Sequence, residues 1–326
     1  MCLQIIYSDV RDLTIKLKTL LGGSVRNNLA DGILFSGGLD TSILAYLGSK
    51  HKHLKAFTVA INPKAPDIKY STKIAKKLKL EHHVYYGSID ELLQIMPELI
   101  KILKTFDPME LRNSVVVYLA LKLARANHTK SVVTGDGADE LFAGYSYMFD
   151  KSEKELHNYT SGLSKVMHFS SVELGRRLGV EIKTPYLDSN IVSFALELAR
   201  KFKIQARKGK IYGKFILRKA FENALPKEII WRVKTPIEVG SGSTQITKVI
   251  ESKICDGEFR ERKEKYNQQD KVKIRDKEQL YYYEIYRSVV GIPYPTNPKS
   301  KKCPFCNSTI TYESSKYCKV CGAYPI

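Results

Sequence analysis

The chain has 326 residues, 43% of them hydrophobic, and its 53 Lys and Arg against 34 Asp and Glu give a formal net charge of +19. This length suits one large α/β domain with a small appendage. The sequence contains no apolar run of 18 residues and no secretory signal pattern, so we expect a cytoplasmic protein without a membrane span. The charge favours nucleotides, nucleic acid or acidic partners without distinguishing among them.

The first half of the chain alternates between predicted helices and strands. Apolar spacing predicts a helix over residues 9–21 that ends at Gly22-Gly23, and then a buried strand at residues 32–35. Further strands are predicted at 54–61, 83–86 and 131–134, and further helices at 41–49, 70–80, 89–104 and 113–127. This alternation predicts an α/β fold with a doubly wound parallel sheet that binds ligands at the carboxyl ends of its strands.

The second half is predicted to be mostly helical. Its amphipathic stretches lie at residues 152–175, 189–200 and 211–224. Residues 260–278 are highly charged and are expected to form a solvated helix or loop, and Pro293, Pro295 and Pro298 mark a linker. We therefore expect one domain over residues 1–295 and a small cysteine-containing module over residues 296–326.

Four of the six cysteines occur as two pairs, Cys303-x2-Cys306 and Cys318-x2-Cys321. Paired thiolates at this spacing can hold one tetrahedral ion from two sides, which predicts a structural Zn²⁺ in a zinc ribbon. Disulfides are the alternative, but nothing else in the sequence indicates an oxidising compartment. The isolated Cys2 and Cys255 are interpreted as ordinary small side chains.

The strongest local signal follows the strand at residues 32–35. Residues 34–42 read Leu-Phe-Ser-Gly-Gly-Leu-Asp-Thr-Ser, so a strand enters two glycines and then a helix N-terminus, an arrangement that binds anions through backbone N–H groups. Asp40 is understandable beside phosphates if it holds Mg²⁺. The lysine of a Gly-x4-Gly-Lys-Ser/Thr loop is missing. A simple glycine turn is the alternative.

A second loop follows the strand at residues 131–134. It carries three acids within five residues, Asp136, Asp139 and Glu140, interleaved with small residues. Acids at the end of a parallel strand can bind metal or transfer protons. An acidic helix N-terminus, favoured by the helix dipole, explains the same pattern equally well.

Together these loops resemble the synthetase domain of asparagine synthetases and their β-lactam synthetase relatives, in the class of ATP pyrophosphatases. The resemblance extends over nearly all of residues 10–290. It continues through Pro66-Asp67, His82-His83, Arg112, Gly179-Val180-Glu181, Pro185-Tyr186-Leu187-Asp188, Ile216-Leu217-Arg218, Leu225-Pro226 and Trp231-Arg232-Val233-Lys234. It implies an adenine nucleotide α-hydrolase-like fold that cleaves ATP between its α and β phosphates.

The resemblance also implies roles for individual residues. Asp40 and Asp139 would hold Mg²⁺, and Asp136, Lys234 and Arg112 would be catalytic, with Lys234 offsetting charge that develops on the phosphate. A surface lysine in a basic stretch is the alternative for Lys234. The residues expected to bind ATP are Phe35, Ser36, Gly37, Gly38, Leu39, Asp40, Thr41, Ser42, Val59, Thr134 and Gly135.

Three features depart from the family pattern. Asp136 stands where asparagine synthetases usually carry Glu and the β-lactam relatives carry Tyr. The roughly thirty residues before the first glycine loop cannot build the family's usual N-terminal glutaminase domain, so Cys2 at the place of its nucleophile is taken as a coincidence. The zinc ribbon is also not part of the ordinary pattern.

These observations predict an ATP-dependent amidoligase of asparagine or amino-acid biosynthesis. It would adenylate a carboxylate, most simply that of aspartate, and transfer it to ammonia or an amine with release of AMP and pyrophosphate. Nitrogen would come from free ammonia, another amine or a separate glutaminase subunit. The first alternative is a tRNA-modifying ATP pyrophosphatase that holds RNA with its zinc module. The second is a non-enzymatic binding or regulatory protein that keeps the nucleotide fold.

Overall fold

The computed structural model describes residues 9–296, 300–310 and 315–326. Its central sheet is parallel throughout and has the order β3-β2-β1-β4-β5. The strands are β1 (Gly32–Leu34), β2 (Lys55–Ala60), β3 (Glu81–Tyr86), β4 (Ser131–Val133) and β5 (Glu181–Lys183). The strand order reverses between β1 and β4, which makes their carboxyl ends the switch point where such sheets bind ligands. The predicted doubly wound parallel sheet is confirmed.

Helices cover both faces of this sheet. In chain order they are α1 (Val10–Asn27), α2 (Leu39–Gly48), α3 (Pro66–Leu78), α4 (Ile89–Leu103), α5 (Pro108–Ala126), α6 (Ala138–Leu141), α7 (Glu153–Ser164), α8 (Ser170–Leu178), α9 (Ser189–Glu197), α10 (Arg200–Lys203), α11 (Phe215–Phe221), α12 (Lys227–Ile230), α13 (Ile237–Ser241), α14 (Gln245–Lys253), α15 (Asp256–Asp270) and α16 (Lys277–Val289). A two-stranded antiparallel hairpin, β6 (Gln205–Arg207) and β7 (Lys210–Tyr212), precedes α11. Among the residues described, no helix is both long and apolar enough to cross a bilayer.

The predicted end of the first helix is wrong. Helix α1 passes through Gly22 and Gly23 and ends at Asn27. Its buried face continues from Leu17 through Leu21 to Val25, so packing on the core holds the helix across two residues of low helix propensity.

Several other boundaries also differ from prediction. The stretch at 152–175 forms two helices, α7 and α8, and the stretch at 211–224 begins in strand β7 before α11 starts. The charged segment at 260–278 is helical as far as Asp270 and then irregular until α16 begins. Strand β5 was not predicted because its three residues, Glu-Ile-Lys, form no apolar run and extend the sheet only by pairing with β4.

Two large apolar clusters and one small one lie among the described residues. One large cluster includes buried side chains of α1, α2, α9 and α11, such as Leu17, Ile43 and Leu217. The other large cluster includes α4, α5 and α16, with Phe106 and Tyr286, and it also contains Cys303, Cys306, Cys318 and Cys321. The cysteine-bearing segment therefore packs onto the α/β domain. The division at residue 295 stays a prediction.

Candidate active site

The loop between β1 and α2 has the geometry of an anion-binding turn. Gly37 has a φ of +66°, and a Cβ there would lie 2.3 Å from the backbone nitrogen of Ser71, so only glycine fits. Gly38 occupies the N-cap position of α2, and its N–H donates to Ser36 Oγ at 3.2 Å. The first amides of α2 thus face the carboxyl end of β1, where an anion would bind.

The second predicted loop lies directly beside the first. A Cβ at Gly135 would lie 3.3 Å from Cβ of Asp40 and 3.4 Å from Cγ2 of Thr41. Thr134 continues β4, and its N–H donates to the Lys183 carbonyl at 3.0 Å. The structure therefore brings both loops together at the switch point.

The remaining residues predicted to bind ATP lie around this junction. Val59 is near the carboxyl end of β2, two residues beyond the Phe57 that pairs with Leu34 of β1. The side chains of Phe35, Leu39, Ser42 and Val59 are buried. They can form a wall of a nucleotide site, but their side chains present little exposed surface.

Asp40 and Asp139 meet through a buried lysine. Lys214 Nζ lies 2.6 Å from Asp40 Oδ2 and 2.6 Å from Asp139 Oδ1, and Lys234 Nζ lies 2.6 Å from Asp139 Oδ2. One ammonium bridges both carboxylates, so the two aspartates are close enough to share a single cation. Tyr186 adds a hydrogen bond from its hydroxyl to the Asp40 carbonyl at 3.2 Å.

Electrostatics favour the charged forms of Asp139 and Lys234. Burial alone would raise the pKa of Asp139, but the ammonium groups of Lys214 and Lys234 lower it to about 2. Burial would lower the pKa of Lys234, yet Asp139 and Asp40 raise it above its ordinary value. Among the described residues, the buried oxygen Oδ1 of Asp40 has no hydrogen-bond partner. An unpartnered buried carboxylate oxygen beside a second carboxylate is a donor set that suits Mg²⁺.

Lys214 was missed by the sequence analysis. It precedes α11 with a φ of +57°, and its side chain is only 4% exposed. Its sequence context, Tyr-Gly-Lys-Phe, carries no motif that distinguishes it among 53 Lys and Arg residues. Only the fold, which returns the chain to the switch point 174 residues after Asp40, identifies it.

Asp136 lies in the second loop as predicted and is held by two hydroxyl groups. Its Oδ2 accepts hydrogen bonds from Thr134 Oγ1 at 2.7 Å and from Ser171 Oγ at 2.5 Å. Burial raises the pKa of Asp136, while both hydroxyl groups lower it. A carboxylate with a raised pKa is a better proton acceptor than a carboxylate with an ordinary pKa. Ser171, at the start of α8, was not predicted.

Glu140, the third acid of the second loop, is hydrogen-bonded to a tyrosine. Its Oε1 accepts a hydrogen bond from the Tyr145 hydroxyl at 2.6 Å, and burial raises its pKa. The ring of Tyr145 lies 5.6 Å from Lys234 Nζ and stacks on Tyr147. Tyr145 therefore contacts both Glu140 and the Lys234 ammonium group.

Arg112, predicted to be catalytic, is bound by two carboxylates from other helices. Its Nε donates to Glu238 Oε2 at 2.8 Å and its Nη1 donates to Glu278 Oε2 at 2.6 Å. In the described parts of the chain, Arg112 forms no ion pair with Asp40 or Asp139. Both carboxylates hold the guanidinium between α13 and α16.

The four paired cysteines converge on one point. Their Sγ atoms lie within 4.8 Å of one another, with Cys303 to Cys321 and Cys306 to Cys318 both at 3.7 Å. Four sulfurs bound tetrahedrally at the usual zinc–sulfur distance lie about 3.8 Å apart. All four are buried, and their separations are those of sulfurs around one metal rather than of disulfides. Cys255 is exposed, and Cys2 lies outside the described residues.

The fold and the site together define a parallel α/β protein in which a glycine loop and two aspartates paired with one lysine lie at the sheet's switch point. The family model "Asparagine synthase" matches residues 16–177 and 169–281. The chain therefore belongs to the asparagine synthase family.

Individual relatives agree with this assignment. The chain is 31% identical over 268 residues to asparagine synthetase B [glutamine-hydrolyzing] of Escherichia coli, covering 74% of this chain and 48% of that protein. It is 29% identical over 262 residues to a probable asparagine synthetase [glutamine-hydrolyzing] of Dictyostelium discoideum, covering 71% and 47%. The chain spans about half the length of these curated relatives.

A solved structure also aligns with the chain. The NH3-dependent NAD synthetase from Campylobacter jejuni covers 74% of this chain and 94% of its own, with a TM-score of 0.30 and 16% sequence identity. The family assignment comes from the sequence matches alone.

Proposed function

We propose that this protein is an ATP-dependent amidoligase that adenylates a carboxylate, most simply the side chain of aspartate, and transfers the acyl group to ammonia or an amine. The observation that carries the proposal is that Asp40 and Asp139 both bind the ammonium group of Lys214 beside the glycine loop. Membership of the asparagine synthase family supports the same chemistry.

The first step forms an activated ester. ATP lies with its phosphates on the loop at Gly37-Gly38, and a substrate carboxylate oxygen attacks the α-phosphorus. The bond between that phosphorus and the oxygen bridging to the β-phosphorus breaks, and pyrophosphate leaves with the electron pair. Lys214 and Lys234 are fixed cations at the place where negative charge increases, so little reorganisation is needed.

The second step forms the carbon–nitrogen bond. The amine nitrogen attacks the acyl carbon, the bond from that carbon to the AMP oxygen breaks, and Asp136 accepts the amine proton. The raised pKa of Asp136 suits it for this transfer. Water has to be excluded meanwhile, since it would hydrolyse the adenylate.

Asp40 and Asp139 are the residues that would hold Mg²⁺. The bound ion would neutralise charge on the pyrophosphate. We also propose that the four paired cysteines hold a structural Zn²⁺, that the protein is cytoplasmic, and that nitrogen arrives as free ammonia, another amine or from a separate glutaminase subunit.

A pyrophosphate-release assay tests the proposal. ATP, Mg²⁺, aspartate and ammonium are expected to yield AMP and pyrophosphate, and a screen of other acids and amines would identify the preferred pair. Asp40→Ala should abolish turnover, because it removes one of the two carboxylates. The control is Asp12→Ala, which alters an exposed acid in the first turn of α1. Unchanged turnover in Asp40→Ala would remove Asp40 from the site.

A second candidate function, modification of a tRNA base, is favoured by one observation. A cavity of about 380 Å³ beside Cys303 is lined by Lys271, Lys273 and Lys302. Such a cationic surface could contact RNA phosphates. RNA binding at physiological salt that weakens when these lysines become glutamates, combined with no amino-acid-dependent AMP release, would favour this candidate over the amidoligase.

A further inference from the structure

The second cysteine pair is joined to the start of α5. The Phe106 N–H donates to the Val320 carbonyl at 2.8 Å, and the Tyr317 hydroxyl donates to Asp107 Oδ2 at 2.6 Å. Gly322 has a φ of +73°, and a Cβ there would lie 2.3 Å from Cγ of Asp107. Asp107 is also the N-cap of α5. The loop that follows Cys318 therefore packs directly on the residue that begins this helix.

The same loop is also joined to the start of α16. Gln279 Nε2 donates to the Cys321 carbonyl at 2.7 Å, and Arg275 Nη1 donates to the Gly322 carbonyl at 3.0 Å. Gln279 is 1% exposed, and its own Oε1 accepts from the Arg275 N–H at 2.8 Å. A buried amide with its partners satisfied fixes position strongly, since losing one partner leaves a buried polar group unpaired.

Arg112 connects α5 and α16, the two helices that the loop after Cys318 contacts. It lies on α5, one turn after the Asp107 cap, and binds Glu278, the neighbour of Gln279 on α16. Glu278 is nearly buried and also accepts from Thr247 Oγ1 at 3.0 Å. A buried ion pair of this kind depends on good geometry, because removing or displacing one partner leaves an uncompensated charge.

From Arg112 the contacts continue to the Lys234 segment. Glu238, four residues after Lys234, binds Arg112 Nε, and its N–H donates to Asn113 Oδ1 at 3.2 Å. On the other side of Lys234, Arg232 Nη2 donates to Asp67 Oδ1 at 2.8 Å. The chain is thus fixed on both sides of Lys234. The contact on the C-terminal side, Glu238 with Arg112, is connected through α16 to the loop after Cys318.

We propose that the metal-loaded cysteine module positions Lys234 in the active site. The module fixes the starts of α5 and α16. Arg112 lies on α5 and binds Glu278 of α16, and through its ion pair with Glu238 it fixes the position of the segment 233–238. Arg112 and Gln279 are then positioning residues rather than residues that touch substrate. The assignment of a catalytic task to Lys234 rests on the proposed function, but its placement by the module does not.

Hydrogen exchange on the full-length protein tests the placement without any assay of activity. Zinc-loaded protein is compared with protein from which zinc has been removed, with metal content measured in both. Faster amide exchange is expected in residues 232–241 and in the first turns of α5 and α16, while the β1–α2 loop stays protected. A change confined to residues 300–326 would overturn the proposal. So would uniform loss of protection, which would show a merely global stabilising role.

A variant that keeps all four cysteines provides a second test. Gln279→Leu removes the bond to Cys321 while keeping the side-chain size, and faster exchange at 232–241 is again expected. In turnover, kcat should fall about five- to tenfold while KM for ATP stays unchanged, since the loss of a buried hydrogen bond acts on Lys234 and not on the glycine loop. The matched control is Gln268→Leu on the exposed face of α15.

A double-mutant cycle on Gln279 and Glu238, the two ends of this series of contacts, distinguishes positioning by the module from two independent local effects. The loss in kcat for Gln279→Leu with Glu238→Gln together should be smaller than the product of the two single losses, because both interrupt the same series. A loss in kcat equal to the product of the two single losses would contradict the proposal. So would unchanged amide exchange at residues 232–241 in Gln279→Leu. If the protein shows no ligase activity at all, the exchange result still decides whether the module places Lys234.

Discussion

At the scale of residues, the centre of the molecule is a cluster of two carboxylates and two ammonium groups. A buried lysine is costly unless it is paired, and Lys214 is paired with both Asp40 and Asp139. Lys234 adds a second ammonium on the far oxygen of Asp139. Two carboxylates and two ammonium groups thus offset one another's charge within the cluster.

Lys214→Met is expected to reduce kcat for pyrophosphate release by about 100-fold or more, the scale of losing one fixed cation from an active site. The variant keeps the length and apolar stem of the side chain but removes its charge. Steady-state kinetics measure the change. Lys210→Met, an equivalent truncation on exposed β7, serves as the control and should retain activity. Equal activity in both variants would exclude Lys214 from the reaction.

Ser171→Ala is expected to shift the acidic limb of the pH–kcat profile to higher pH. The Ser171 hydroxyl donates to Asp136 and lowers its pKa, so removing the hydroxyl raises the pKa further and demands a higher pH for the ionised base. The neighbouring Ser170→Ala is the control, because Ser170 bonds Ser114 instead. An unmoved limb, or a shift to lower pH, would show that Asp136 is not the group that controls the rate.

At the scale of elements, the sequence predicted what depends on local pattern and missed what depends on distant packing. Strands β1 and β2 are apolar runs, and both glycine-containing loops carry motifs, so the switch-point site could be predicted. Helix α1 could not be bounded because its core contacts override two glycines. Lys214 could not be predicted because only the return of the chain brings it to Asp40.

Two glycine substitutions should change stability in opposite directions. Gly22 lies inside α1, where an added Cβ would meet no described atom within 4 Å, so Gly22→Ala should increase the free energy of unfolding by about 0.5–1 kcal/mol. Gly37→Ala forces a Cβ into a left-handed residue against Ser71 and should reduce it by more than about 2 kcal/mol. Denaturant titration measures both. If Gly22→Ala lowered the free energy of unfolding, or if Gly37→Ala left it unchanged, the surroundings described for these two glycines would be wrong.

At the scale of the whole molecule, the sheet and the helical second half meet at one site, and the cysteine module packs on helices that lead to it. The glycine loop and Asp139 come from the α/β half, and Lys214 and Lys234 come from the second half. The cysteines pack in the same apolar cluster as Phe106 and Tyr286, beside the helix that carries Arg112. The site therefore takes its two carboxylates from the α/β half and its two ammonium groups from the second half.

The position at which ATP is cut tests the central claim most directly. The protein is incubated with ATP, Mg²⁺, aspartate and ammonium, and the nucleotide products are separated and quantified. A nucleotide held by the glycine loop, with its pyrophosphate against Asp40 and Asp139, should give AMP and pyrophosphate in equal amounts and only when the acid is present. Formation of ADP and phosphate would contradict the account.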